Sequence, residues 1–309
     1  MDAVVVGEAL IDLMETDFGA ERAYRPLVGG APLNVAVGLA RLGRPVEFVG
    51  SIGRDVLGQR IRAFLAAAGV GTTGCVEVDA PTSLAVTSFD GAEPDFHFYG
   101  EPPSYGLLPP ASLDLARIRA ASAVYCGSIA LLCEPSLAAA RLAWAQAGPV
   151  KAFDPNVRLN LVRDRVALRS IVEEFAATAD LVKLSEPDAR ALFDADPGVA
   201  ADHLRSLGAG TVVVTRGAAG ALVVTGSGRA TVPAPPVRAV DTTGAGDAMM
   251  AALLSGLLDP SFSAGGVPSD LDGWVALASF AVTVAGLVCE RPGGATAMPT
   301  LAEVHARLP

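Results

Sequence analysis

Short β-branched or apolar runs alternate along this chain with segments of helical length, and no other feature narrows its fold as far. Residues 3–6, 46–49, 124–126, 151–153, 181–184 and 211–214 read as buried strands. Between them, residues 34–42, 57–68, 135–147, 165–177 and 199–207 are rich in Ala, Leu and Arg and repeat their apolar positions at helical spacing. A chain that alternates in this way closes a mostly parallel sheet and covers both of its faces with helices, an α/β fold of three layers. Two regions break the rhythm. Residues 10–15 with 22–27, and 83–90 with 95–99, read as hairpin-like pairs, with Gly91-Ala92-Glu93-Pro94 supplying the second turn. These predict a small separate β-layer, spanning about 10–28 and 83–100, placed to cover the crevice at the carboxyl ends of the parallel strands.

The chain has 309 residues, 51% hydrophobic and 18% charged, enough to bury a large core. Its formal charge of -10 repels nucleic acid and anionic membranes, so polymer partners are not expected. The opening Met1-Asp2-Ala3-Val4-Val5-Val6-Gly7-Glu8 has no basic leader and reads as a first core strand. The longest apolar segment, 275–289, falls short of the ~20 residues of a membrane span and reads as a buried helix. Cys75, Cys126, Cys133 and Cys289 show neither metal-ligand nor disulfide-framework spacing, which suggests a reducing cytoplasm, and the three histidines are scattered.

Two stretches carry chemistry. In Asp241-Thr242-Thr243-Gly244-Ala245-Gly246-Asp247, small residues open a helix, so backbone amides and the helix dipole both point at an approaching anion. Asp247, at the same helix start, suits a base beside a transferring phosphoryl group. Read alone, the stretch is also a loop with an aspartate cap. In Gly29-Gly30-Ala31-Pro32-Leu33-Asn34, paired glycines let the backbone approach a ligand, and Asn34 offers a donor and an acceptor to vicinal hydroxyls. A glycine turn with Pro32 in the first helical turn is the alternative. Asp12, after the first strand, can accept from sugar hydroxyls.

Together these stretches resemble the ribokinase-like (phosphofructokinase B) family of carbohydrate kinases, from Val5 to about Pro299, with the glycine pair extended by Gly50-Ser51-Ile52-Gly53-Arg54-Asp55. The resemblance implies a Rossmann-like αβα sandwich with a β-lid, and ATP with Mg2+ as the phosphoryl source. It implies Asp247 as catalytic base with Gly244, Ala245 and Gly246 as its anion loop, and Asp12, Gly29, Gly30, Asn34, Phe98 and Arg158 around the sugar. Val214-Thr215-Arg216-Gly217-Ala218-Ala219-Gly220 is similar to the family's nucleotide turn, implicating Thr215, Gly217 and Gly220 in ATP binding. Leu181-Val182-Lys183-Leu184-Ser185-Glu186-Pro187-Asp188 falls where the family often has Asn-x-x-Glu. Ser185 and Asp188 replace that pair, and the shorter carboxylate implies a link to magnesium through water, while Lys183 reaches toward the phosphates. Asp241, Thr243 and Gly293 resemble the loops that hold a monovalent cation, K+, in related kinases.

The opening Gly7-Glu8-Ala9-Leu10-Ile11-Asp12, Lys183-Leu184-Ser185 and Asp154-Pro155-Asn156-Val157-Arg158 look most like fructokinases, implying D-fructose to fructose 6-phosphate. 2-Keto-3-deoxygluconate is the alternative, since Arg158 suits a substrate carboxylate. Ribose or a nucleoside follows, then a non-catalytic sugar-binding protein. Phe96, Phe98, Tyr99 and Tyr105 stack on a sugar or pack the lid. A dinucleotide oxidoreductase is disfavoured because Gly7-Glu8-Ala9-Leu10 does not supply Gly-x-Gly-x-x-Gly. A lid edge offers itself for pairing across a homodimer.

Overall fold

The computed structural model describes residues 3–18, 21–90, 93–263 and 266–308. Its strands are β1 Ala3–Val6, β2 Leu10–Phe18, β3 Glu21–Gly29, β4 Val46–Gly53, β5 Gly71–Val78, β6 Leu84–Asp90, β7 Glu93–Tyr99, β8 Ala123–Gly127, β9 Val150–Asp154, β10 Leu181–Ser185, β11 Thr211–Thr215, β12 Ala221–Thr225 and β13 Gly228–Val232. Its helices are α1 Ala31–Arg41, α2 Val56–Ala67, α3 Leu115–Ala120, α4 Ser136–Gln146, α5 Arg165–Ala176, α6 Glu186–Phe193, α7 Pro197–Leu207, α8 Ala245–Leu257, α9 Pro260–Ser263, α10 Leu271–Cys289 and α11 Leu301–His305.

Nine strands form one sheet in the order β13-β12-β11-β10-β9-β8-β1-β4-β5, parallel except for the β12–β13 edge. Period-two alternation divides each central strand between two cores. Val5, Phe48, Tyr125 and Ala152 face α1, α8 and α10, whereas Val4, Val6, Val124 and Phe153 face α4, α5 and α7. The three layers expected from the sequence are therefore present. β1 is flanked by β4 on one side and β8 on the other, so the winding direction reverses there and leaves a crevice outside the carboxyl ends of the strands.

The lid is a second sheet in the order β3-β2-β6-β7, made of two antiparallel hairpins joined by a parallel β2–β6 seam. Residues 91–92 of its second turn and the side chain of Phe96 lie outside the described residues. One in-register row crosses the lid from Leu27 through Asp12 and Ala85 to Phe98. Because alternate residues share a face, three members of this row, Asp12, Ala85 and Phe98, line the same cleft.

Three strands were not anticipated. β5 is a partly exposed edge carrying Gly71 and Gly74, which weakens its apolar signal, and β12–β13 form a hairpin just after the glycine turn. Helix α10, although long and apolar enough to cross a membrane, packs on α8 and the β12–β13 edge and buries Trp274, Leu277, Ala281 and Val288. Helices α1 and α8 approach closely because Gly38 faces Ala251, whose Cβ would lie 2.6 Å from a Cβ added to Gly38. That approach matters, since α1 carries Asn34 and α8 carries Asp247.

Candidate active site

The carboxyl ends of β1, β9, β10 and β11, the lid row and the starts of α1 and α8 enclose a cleft of about 370 Å3. Beside it lies an apolar cavity of about 600 Å3, walled by Pro235, Pro236, Val237, Met249, Val282 and Ala285. Thr215, Thr242 and Gly246 line both, so the two spaces meet at the glycine loop. A polar cleft joined to an apolar slot through backbone amides suits a polyol on one side, a flat heterocycle on the other and phosphates between.

The loop owes its shape to Gly244, which sits at φ 79° as the N-cap of α8 and provides no capping side chain. The Ala245 N–H donates to the Thr242 carbonyl at 3.2 Å, and with no capping side chain the amides that follow, of Gly246 and Asp247, are left to an anion. The turn is held from behind. Asp241 accepts the N–H of Thr243 at 2.9 Å and that of Gly293 at 2.8 Å, tying the loop to residues 291–294. Asp241 and Gly293 thus stand behind the cleft, whereas Thr243 lines it.

Asp247 is 8% exposed and accepts a hydrogen bond from Asn34 Nδ2 at 2.7 Å, a contact spanning 213 residues of sequence. Burial pushes its carboxyl above the ordinary range, and the Asn34 donor, Lys183 and Arg158 act against that push. Asn34→Ala removes the largest opposing influence, so Asp247 should titrate higher. The acid limb of kcat/KM is then expected to move to higher pH, which a pH–rate profile checks.

Asp12 lies against the backbone of Gly29, where an added Cβ would come 2.0 Å from its Oδ2, so any side chain at the end of β3 would displace the Asp12 carboxylate. Burial raises Asp12 to about 7, with Arg158 lowering it and Asp247 raising it further. Arg158 also lines the cleft, and its Nη1 donates to Asn156 Oδ1 at 2.8 Å. Gly30, Phe98, Lys183, Ser185 and Asp188 line the cleft too, while Gly217, Gly220 and Ala245 line the apolar cavity. Gly29 acts from behind, by making room for Asp12. Asp188 has a further duty. Its Oδ2 accepts the N–H and hydroxyl of Ser185 at 2.8 and 2.7 Å, closing a capping box at α6, and its Oδ1 accepts the N–H of Val157 at 2.9 Å.

Four groups at or just behind the cleft were given no role of their own in the sequence reading. Glu8, 1% exposed, accepts the N–H of Ala31 at 3.2 Å and of Ala130 at 3.3 Å, and burial raises it to about 7 against the Ser128 hydrogen bond and these amides. Its signals were a carboxylate ending an apolar strand and its place in the opening Gly7–Asp12 stretch. Asn156 and Ser128 line the cleft at φ 37° and 70°, conformations that side-chain-bearing residues seldom hold and that concentrate at functional sites. Asp154, behind them, is taken up below.

A buried carboxylate beside an uncapped helix start, with a polar cleft on one side and an apolar slot on the other, suits phosphoryl transfer to a small hydroxylated substrate, and the chain belongs to the pfkB family of carbohydrate kinases, whose pattern it matches over residues 1–301. Among its relatives, a fructokinase of Klebsiella pneumoniae is 36% identical over 304 residues, 96% of this chain and 95% of that protein. The fold is similar to a fructokinase of Xylella fastidiosa solved with ATP bound, at TM-score 0.90, 31% identity and coverage of 99% of this chain and 97% of that one. It is also similar to a double mutant of Vibrio cholerae fructokinase solved with fructose, ADP and a potassium ion, at TM-score 0.88, 28% identity and coverage of 100% and 99%.

Proposed function

We propose that this chain transfers the γ-phosphoryl group of ATP to the 6-hydroxyl of D-fructose. The observation that carries the reading is the position of Asp247, hydrogen-bonded to Asn34 at the junction of the carboxylate-lined cleft and the apolar cavity. The fructokinase relatives support the choice of sugar. In this reading Asp12, Asn34 and Arg158 orient the sugar under the Phe98 wall of the lid. Asp247 removes the hydroxyl proton as that oxygen forms its bond to the γ-phosphorus, and the bond from phosphorus to the β–γ bridging oxygen breaks to release ADP. Amides at the start of α8 and the Lys183 ammonium meet the negative charge on the phosphoryl oxygens, which is the main electrostatic task in such transfers.

Among the described residues no group of three or more acidic, histidine or cysteine side chains is arranged to hold a metal. A divalent ion, Mg2+ in this proposal, would therefore take its ligands chiefly from the nucleotide phosphates and water, with Asp188 reached through water and the ion screening charge on the phosphates. The Asp241–Thr243 and Gly293 loops offer hard oxygens for K+, because each Asp241 oxygen keeps a lone pair beyond its one amide bond. The lid edges β3 and β7 support a homodimer, and cysteines without a disulfide framework support a cytoplasmic setting.

A coupled ADP-release assay tests the substrate. Fructose is expected to give the highest kcat/KM among fructose, 2-keto-3-deoxygluconate, ribose, glucose and nucleosides. A tenfold or greater preference for any other acceptor would refute fructose as the substrate.

A further inference from the structure

The chain contains two lysines, Lys151 and Lys183, and Lys183 is the buried one. Its Nζ lies 2.8 Å from Asp154 Oδ2, with side chains 4% and 1% exposed. The ammonium rests under the phosphate loop: a Cβ added to Gly246 would come 3.3 Å from Lys183 Nζ. The other oxygen of Asp154 accepts the N–H of Asn156 at 3.2 Å, in the turn where Asn156 holds φ 37° and its own Oδ1 takes the Arg158 donor. One carboxylate therefore touches the support of both substrates, the phosphate side through Lys183 and the sugar side through Asn156 and Arg158.

We propose that Asp154 is a positioning residue, holding Lys183 beneath the phosphate loop with one oxygen and setting the Asn156–Arg158 turn with the other, so that the two halves of the site are held in one geometry. The inference deepens the kinase reading and rests on it. Lys183 is faced by Asp154 from β9, Asp188 from α6 and Asp247 from α8, and Asp154 is faced by Lys183, Asp188 and Asp247. Burial holds the phenol of Tyr125, from β8, in its protonated form, and the nearby Asp154 charge acts in the same direction. Burial by itself would drive the Lys183 ammonium toward its neutral form; Asp154 opposes this most strongly, followed by Asp188 and Asp247. Burial raises Asp154 itself to about 6, with Lys183 opposing.

Asp154→Asn keeps the shape and removes the charge. Lys183 should then release its proton at lower pH, and the alkaline limb of kcat should move down by about one unit or more. At the optimum, kcat should fall about 10²-fold, the scale of a mispositioned reacting group. With only two lysines, 13Cε-lysine NMR follows the Lys183 titration directly, without any substrate. If Lys183 titrates alike in wild type and variant, or kcat stays within threefold, the proposal fails. Should Asp154→Asn not fold, the double variant Asp154→Asn with Lys183→Met removes both charges. It is expected to melt near wild type yet remain slow, and recovery of turnover to within threefold overturns the proposal. A wild type inactive on fructose would overturn the choice of sugar instead, while the NMR titration still decides the role of Asp154.

Discussion

Asp247→Asn is expected to lower kcat about 10²–10⁴-fold, the usual cost of losing a positioned base. Fructose and ATP should still bind, because the change leaves the cleft walls, the α8 amides and the apolar cavity in place, so KM for both substrates should move far less than kcat. Asparagine is nearly isosteric and can still meet Asn34 after an amide rotation, so the variant should also melt close to wild type. In wild type, activity is expected to fall as pH drops through the pKa of Asp247, which burial raises above the usual aspartate value, because a base must be ionised to accept the proton. That acid limb should vanish from the small residual rate of the variant. Near-normal turnover, or an unchanged acid limb, would remove Asp247 from the role of base.

Gly244→Val is expected to be nearly as severe, for a different reason. Gly244 sits at φ 79°, where a β-branched residue is an outlier costing about 1–3 kcal/mol. A Cβ there would also come 2.7 Å from the Cα of Gly294, so either the loop or residues 291–294 must move. Gly294 in turn packs on Asn34, with its own added Cβ only 3.0 Å from Asn34 Nδ2, and displacement therefore reaches the hydrogen-bond partner of Asp247. Losing one well-aimed donor to a developing oxyanion costs about 10²–10³-fold in kcat. Steady-state kinetics should show at least about 10²-fold lower kcat together with a lower melting temperature. Gly69→Val separates the two effects. It has φ 80° with nothing within 4 Å of the added Cβ, so it should melt lower while keeping its turnover. If Gly244→Val merely matched that control, the anion-loop role of Gly244 would be lost.

The parallel core was legible because its strands are buried on both faces and read as continuous apolar runs, as in Val4-Val5-Val6 and Val212-Val213-Val214. The edge strands β5 and β13 were not, since partial exposure mixes polar residues and glycine into them and erases the period; β12, an apolar run between β11 and β13, was passed over in the reading of the glycine turn before it. Asp247, Asn34 and Gly244 were legible because they belong to local stretches whose residue types answer a chemical need. Glu8 and Asp154, although they stand in two of the stretches likened to fructokinases, were given no role because each looks in sequence like the polar end of an apolar strand, and their surroundings come from partners brought in by other strands and helices.

By itself, the run from Asp241 to Asp247 determined that this chain can bring an anion to a helix start beside a carboxylate, because small residues and backbone amides do so wherever they occur. The glycine pair and Asn34 determined, likewise from local chemistry, that hydroxyls can be met. The tertiary structure alone decided that these two stretches form one site, by packing Gly38 of α1 against Ala251 of α8 until Asn34 reaches Asp247. It also decided the ionisation of the site. Asp12, Glu8, Asp154, Lys183 and Asp247 are ordinary residues in sequence, and their pKa values depart from the ordinary only because folding removes water and puts them within each other's fields.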